Sequence, residues 1–231
     1  MGVEPDPQEL LDEQVAYYRA RASEYDHWWV RQGQFDYGPE FNEAWRDEVG
    51  RLEAELEAFR PEGDVLELAA GTGNWTRELA RHANRVTAMD VSLETLEINR
   101  EKVAGAGAPA DVEYVVADVF DWRPDRRYDV VFISFWLSHV PAARFNTFWS
   151  LVDDALAPDG RVFLIDNAVP RSPHDRSGVS DRTLADGRRF RIVKVFHEPD
   201  ELEVRLATIG WDIHAATTGP AFLYAHGKRR V

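Results

Sequence analysis

The chain has no cysteine, only two methionines, and just 27 basic side chains against 41 acidic ones in 231 residues. The missing cysteines exclude disulfides, thiolate metal sites and a cysteine nucleophile. The basic deficit leaves a formal charge of −14, the wrong sign for nucleic acid or an anionic membrane surface as partner. No run approaches the roughly 20 apolar residues of a membrane span. The opening MGVEPDPQELLDEQ is too acidic and polar for a secretory or transit peptide. These absences predict a cytoplasmic α/β protein, monomeric or homodimeric, without a bound metal. What is abundant is aromatic: 8 Trp, 7 Tyr and 12 Phe.

Residues 1–60 carry helical spacing at Leu10, Leu11, Val15 and Tyr18, and again at Phe41, Trp45, Val49, Leu52, Leu56 and Phe59. Between them WWVRQGQFDYGPEF reads as a loop. These sixty residues hold 15 acidic and 6 basic side chains, a local −9. From residue 61 the pattern alternates. Apolar, β-branched runs at 64–69, 85–89, 112–117, 129–135 and 161–165 predict strands covered on both faces. Helical segments at about 74–83, 92–104 and 143–156 separate several of them, which implies a mostly parallel, doubly wound sheet. A basic insert follows at about 170–197, with Asp186-Gly187 as a hairpin turn. A helix at about 199–209 starts on Pro199 and stops before Gly210. Two last apolar runs, 211–216 and 221–226, close the sheet as an antiparallel pair. The expected organisation is a helical lid over 1–60 within one domain whose core is 61–231.

The segment VLELAAGTGNW joins the first strand to a helix, and Gly71 and Gly73 permit a tight turn close to a ligand. A GxG turn alone suits dinucleotides, phosphates or no ligand at all. Three acids narrow this. Glu67 sits inside the first strand end, Asp90 ends the second strand 19 residues after Gly71, and Asp118 ends the third. Carboxyl ends of adjacent parallel strands are where such sheets bind ligands, and a carboxylate in Asp90's place can accept both ribose hydroxyls. A nicotinamide dehydrogenase would want a third glycine where Thr76 stands and has no use for Asp118.

With these pieces in place the chain resembles the class I S-adenosylmethionine-dependent methyltransferases, of the small-molecule type. The resemblance spans about 60–165 and rests on VLELAAGTG, the Asp90 strand end, VVADVF, YDVVFISFWLSHVP and LAPDGRVFLID, in that order. Ala69 departs from the family's usual first glycine. The resemblance implies a Rossmann-like seven-stranded sheet with an antiparallel last strand. It also implies S-adenosylmethionine as cofactor, leaving as S-adenosylhomocysteine. Glu67 and the backbone of Ala69, Gly71, Thr72 and Gly73 would hold the methionine end, and Asp90 the ribose, with Val91 on the adenine. Asp118 would take the adenine amino group beside Val119, although a turn-capping aspartate is the other reading. Ser134 and Phe135 would lie under the methionine moiety.

For catalysis, His139 is the best-placed imidazole, and a histidine that only packs or caps is its alternative. His174 and His197 flank the basic insert as weaker candidates. Asp166, ending the fifth strand, is a substrate contact or a satisfied strand-end carboxylate. The stretch YYRARASEYDHWW resembles the lid of small-molecule members, with Tyr17, Tyr18, Arg21 and Tyr25 reaching the cofactor or closing the pocket. Trp28, Trp29, Phe35, Tyr37, Trp75 and Trp136 would wall the acceptor site. Residues 171–194 hold seven basic and three acidic side chains, a local +4. There Arg182, Arg188, Arg189, Arg191 and Lys194 either meet an acidic substrate or form a solvated edge strand. The expected reaction is methyl transfer to a small aromatic or hydrophobic molecule, oxygen first, nitrogen or carbon open. A nicotinamide-dependent reductase and a non-catalytic cofactor-binding protein are the competing readings.

Overall fold

The computed structural model describes residues 7–107, 109–170 and 177–230. Seven strands form one sheet in the order β3-β2-β1-β4-β5-β9-β8. They are β1 (Asp64–Leu68), β2 (Arg85–Asp90), β3 (Asp111–Val116), β4 (Tyr128–Ser134), β5 (Leu156–Asn167), β8 (Trp211–Thr217) and β9 (Phe222–Arg229). The first five run parallel, and β9 inserts antiparallel between β5 and β8. The doubly wound, mostly parallel sheet with an antiparallel last strand is therefore present as expected.

The strand runs lack polar alternation because both faces are covered. On one face, α6 (Phe145–Ala155) and α7 (Pro199–Thr208) bury Phe148, Trp149, Leu202 and Leu206 against β4, β5 and the last strands. On the other, α3 (Pro39–Phe59) and α4 (Thr76–Leu79) bury Leu52, Leu56 and Leu79 against Val65, Val86 and Phe163. The edge strands differ: β8 alternates buried and exposed positions, so one of its faces meets solvent, while β3 buries no residue fully. Local signals set the boundaries. Ser92 caps α5 (Leu93–Ala106) by accepting the Thr95 N–H at 3.1 Å. Pro39 and Pro199 open α3 and α7 at the position that needs no N–H donor.

Three local expectations change. The helix expected over 74–83 keeps regular α form only in the four residues of α4, then continues as turns. The aromatic loop begins inside a helix, because α2 (Tyr25–Trp29) includes both tryptophans. The basic insert forms a separate hairpin, β6 (Gly178–Thr183) with β7 (Arg189–Lys194). That hairpin docks on α1 (Pro7–Arg21): Arg191 pairs with Glu13 at 2.7 Å, and the Val193 N–H donates to the Gln14 amide oxygen at 3.0 Å. No helix among the described residues is long and apolar enough to cross a membrane.

Candidate active site

A cleft opens over the carboxyl ends of β1, β2 and β4, where the sheet order reverses and parallel sheets hold ligands. Its floor is Ala69, Gly71, Asp90, Val91, Asp118, Val119, Ser134 and Phe135, and its roof is Gln14, Val15 and Tyr18 of α1, Tyr25 of α2 and Ala22 between the two helices. The free space of this cleft, open solvent included, is roughly 710 Å³.

The turn after β1 is shaped by three residues of positive φ, Ala69 (54°), Gly71 (56°) and Gly73 (86°). An alanine there costs about 1–2 kcal/mol of backbone strain, which the surrounding packing must offset. Asp90 holds the turn together, accepting the Gly71 N–H on one oxygen and the Ser92 N–H on the other, both at 2.9 Å. Each oxygen keeps a lone pair for a further donor, an arrangement that fits the vicinal hydroxyls of a ribose. Asp118 both lines the cleft and caps its own turn, accepting the Phe120 N–H at 2.8 Å. Val91 and Val119 flank it with apolar surface of the kind a flat base needs. The residues present thus fit an adenosine group with its diol at Asp90.

A second cavity adjoins the first. It is lined by Arg21, Glu24, Tyr25, Trp28, Phe35, Tyr37, Phe135, His139, Asn167, Arg182 and Lys194, among others. Tyr18, Tyr25 and Phe135 border both. Its charge is positive. The Arg21 guanidinium lies over the rings of Tyr17, Tyr25 and Phe35 at 5.7, 5.0 and 5.9 Å. Neither Arg21 nor Arg182 has a carboxylate within ion-pair distance among the described residues. Lys194 donates to Ser138 Oγ and Asn167 Oδ1, each at 2.7 Å, and stands 3.8 Å from Asp166. Burial lowers its pKa to about 8, with Asp166 opposing the shift.

His139 is buried, and both ring nitrogens are engaged. Nδ1 lies 2.7 Å from the Val193 carbonyl and Nε2 2.7 Å from the Tyr18 hydroxyl. A carbonyl only accepts, so Nδ1 carries the proton and Nε2 accepts from Tyr18. Burial, then the Lys194 charge, holds the imidazole well below its usual pKa. It is a neutral hydrogen-bonding group at neutral pH.

Several sequence-predicted residues lie elsewhere. Glu67 is fully buried beneath the turn, where it accepts Thr76 Oγ1–H at 2.6 Å, and it lines none of these cavities. Gly73 lines none either; a Cβ there would meet Asn99 Oδ1 at 2.6 Å, so it is needed for packing on α5. Thr72, Trp29 and Trp75 line a smaller recess beside the glycine turn rather than the second cavity, because α2 turns Trp29 inward onto Trp45 and Trp75. Trp136 borders the first cleft. Asp166 is satisfied by the Ser138 and Asn167 N–H groups, both at 2.7 Å, and reaches the cavity only through Lys194. Arg188 pairs with Asp186, Arg191 with Glu13, and Arg189 is exposed, so of the insert's five named cations only Arg182 and Lys194 line the cavity. His197 is buried against Phe145, and His174 falls outside the described residues. Sequence reading missed Gln14, Val15, Ala22 and Thr95 in the cleft; the Val15, Tyr18, Ala22, Tyr25 spacing of three and four was the available signal.

The chain is similar in sequence and fold to known methyltransferases. Residues 65–160 match a family model described as a methyltransferase domain. The chain is 42% identical to DhpI, seen in complex with SAH (S-adenosylhomocysteine), over 97% of this chain and 99% of that one, with a TM-score of 0.77. The ubiquinone/menaquinone biosynthesis C-methyltransferase UbiE of Ectopseudomonas mendocina is 31% identical over 127 residues, 53% of this chain and 49% of that protein. The chain thus spans about half the length of the curated relatives it matches. A 1,6-didemethyltoxoflavin N1-methyltransferase from Burkholderia thailandensis shares the fold, with a TM-score of 0.64 at 17% identity and coverage of 100% and 93%.

Proposed function

Because the chain belongs to the class I S-adenosylmethionine-dependent methyltransferases, we propose that it methylates an anionic oxygen of a small acceptor bound in the second cavity. The observation that carries this reading is the convergence of Arg21, Arg182 and Lys194 on that cavity, opposed among its charged lining residues by Glu24 alone.

Bound S-adenosylmethionine supplies a methyl group on a positively charged sulfur. The protein's part is mostly positioning. In this reading the Asp90 carboxylate takes the ribose, Val91 and Val119 flank the base, and Asp118 faces its amino group. Glu67, Ala69, Thr72 and the turn around them support the methionine end. Phe135, bordering both cavities, marks where acceptor and cofactor meet. Arg21, Arg182 and Lys194 hold the acceptor's charge, while Trp28, Phe35 and Tyr37 wall its apolar part.

An oxyanion needs no base, which suits a cavity whose imidazole is neutral and already bonded through both nitrogens. A carbon nucleophile, of the kind named for the UbiE relatives, must finally give up a proton, and His139 is the only imidazole among the described residues lining the cavity. Methylation also removes one negative charge from the acceptor, so the product holds less tightly to the three cations and leaves.

The test is a mass-spectrometric assay of methyl esters and ethers with S-adenosylmethionine and a panel of small carboxylic, phosphoric and phosphonic acids beside neutral phenols and amines. Turnover should be confined to the acids. Equal turnover of neutral acceptors overturns the reading.

A further inference from the structure

Asp26 forms a clasp between the roof and the floor of the cofactor cleft. It belongs to α2, whose Tyr25 lines the cleft and whose Trp29 lines the recess beside the glycine turn. One Asp26 oxygen accepts Thr72 Oγ1–H at 2.6 Å and the Asn74 amide at 3.2 Å, both from the glycine turn. The other accepts Lys102 Nζ of α5 at 2.8 Å. Lys102 closes the ring by donating to Asn74 Oδ1 at 2.7 Å. Three segments separated by 28 to 76 positions in sequence thus meet at one carboxylate.

The clasp is stronger than an ordinary surface pair. Asp26 and Lys102 side chains are 34% and 22% exposed, so the pair is partly shielded from solvent. Burial works against the charged carboxylate, yet the bonds from Lys102, Thr72 and Asn74 hold it below its usual pKa. It stays ionised across the neutral range. Thr72 and Asn74 themselves line the recess with Trp29 and Ser134. The same carboxylate therefore fixes groups above and below the cleft.

We propose that Asp26 is a positioning residue that clamps α2 onto the glycine turn and so sets how long the cofactor stays bound. This rests on the cofactor reading above and is independent of the acceptor. With the clasp broken, the α1–α2 roof parts from the turn more often, and the ligand escapes through that opening. Association, which needs the open cleft in either case, changes less.

The experiment measures S-adenosylhomocysteine dissociation after rapid dilution of the tritiated complex, for the unaltered protein and for Asp26→Asn, Lys102→Met and the double variant. Each single variant should dissociate about tenfold faster or more, in keeping with loss of a charge-assisted bond. The double variant should add little, because both partners act through one contact. The KM for S-adenosylmethionine should rise more than kcat changes. A purely structural role would lower the melting temperature without this split. Dissociation rates unchanged in both single variants, or fully additive effects, overturn the clamp; should Asp26→Asn not fold, Lys102→Met alone decides. Failure of the unaltered protein to bind S-adenosylhomocysteine at all overturns the cofactor reading instead.

Discussion

The Tyr18 hydroxyl stands 2.7 Å from His139 Nε2 and donates to it, because the Val193 carbonyl fixes the proton on Nδ1. This bond joins α1 of the roof to the turn after β4, and it occupies the lone pair that a general base would use. Conversion of His139 to an imidazolium is further opposed by its burial and by Lys194. His139→Gln should therefore lower kcat by about tenfold or less through lost positioning, well short of the 10²–10⁴-fold expected when a general base is lost. Steady-state kinetics decides this. A thousandfold loss that high pH restores would reinstate His139 as the base.

Arg21 offers the most direct test of acceptor charge. Its guanidinium lies over three aromatic rings and lines the second cavity without lining the first cleft. Arg21→Met keeps the apolar stem and removes the charge. The KM for an acidic acceptor should rise about 10–100-fold, the loss of a hydrogen bond to a charged group. S-adenosylhomocysteine affinity, followed by calorimetry, should stay within about threefold. Equal loss of both affinities means that the arginine serves the cofactor end.

Lys194 gives the cavity a pH dependence. Burial lowers it to about 8, so it carries its charge below that pH and loses it above. The sign for an anionic acceptor follows: kcat/KM, which reports the free enzyme, declines as pH rises past about 8. Lys194→Met should be weaker by about tenfold or more at pH 7 and should show no alkaline decline. A decline that persists unchanged in the variant assigns the titration to another group.

The sheet was legible because burial on both faces leaves uninterrupted apolar runs, and parallel order follows from alternation with helices. Asp90 and Asp118 were legible for a related reason: a charged residue ending such a run has one place to be, the carboxyl edge of the sheet. The contacts that complete the site are of another kind. Gln14 reaches Val193 across 179 positions, and Asp26 reaches Lys102 across 76. No local spacing encodes such pairs, and they exist only once α1 and α2 lie over the sheet. The two tryptophans part for a different reason. Trp28 and Trp29 are adjacent on a helix and so point about 100° apart. Both rings touch Trp45, but only Trp28 faces the second cavity while Trp29 packs on Trp75, a division that composition cannot supply.

Glu67 extends the account from the site to the stability of the fold. It is fully buried under the glycine turn, and one of its oxygens has no hydrogen-bond partner among the described residues. Burial pushes its carboxyl up to about 8, so the folded protein holds it protonated at pH 7. The unfolded chain releases that proton near pH 4.3. Between these values the native state binds the extra proton, and linkage requires stability to fall as pH rises. Glu67→Gln keeps the shape of the neutral acid and cannot ionise. Relative to the unaltered protein, it should gain about 2–4 kcal/mol between pH 5 and pH 8 in urea titrations, since each pH unit is worth about 1.4 kcal/mol for one proton. Parallel stability curves for the two proteins would show that Glu67 is ionised in the fold and free to hold the methionine end by its charge.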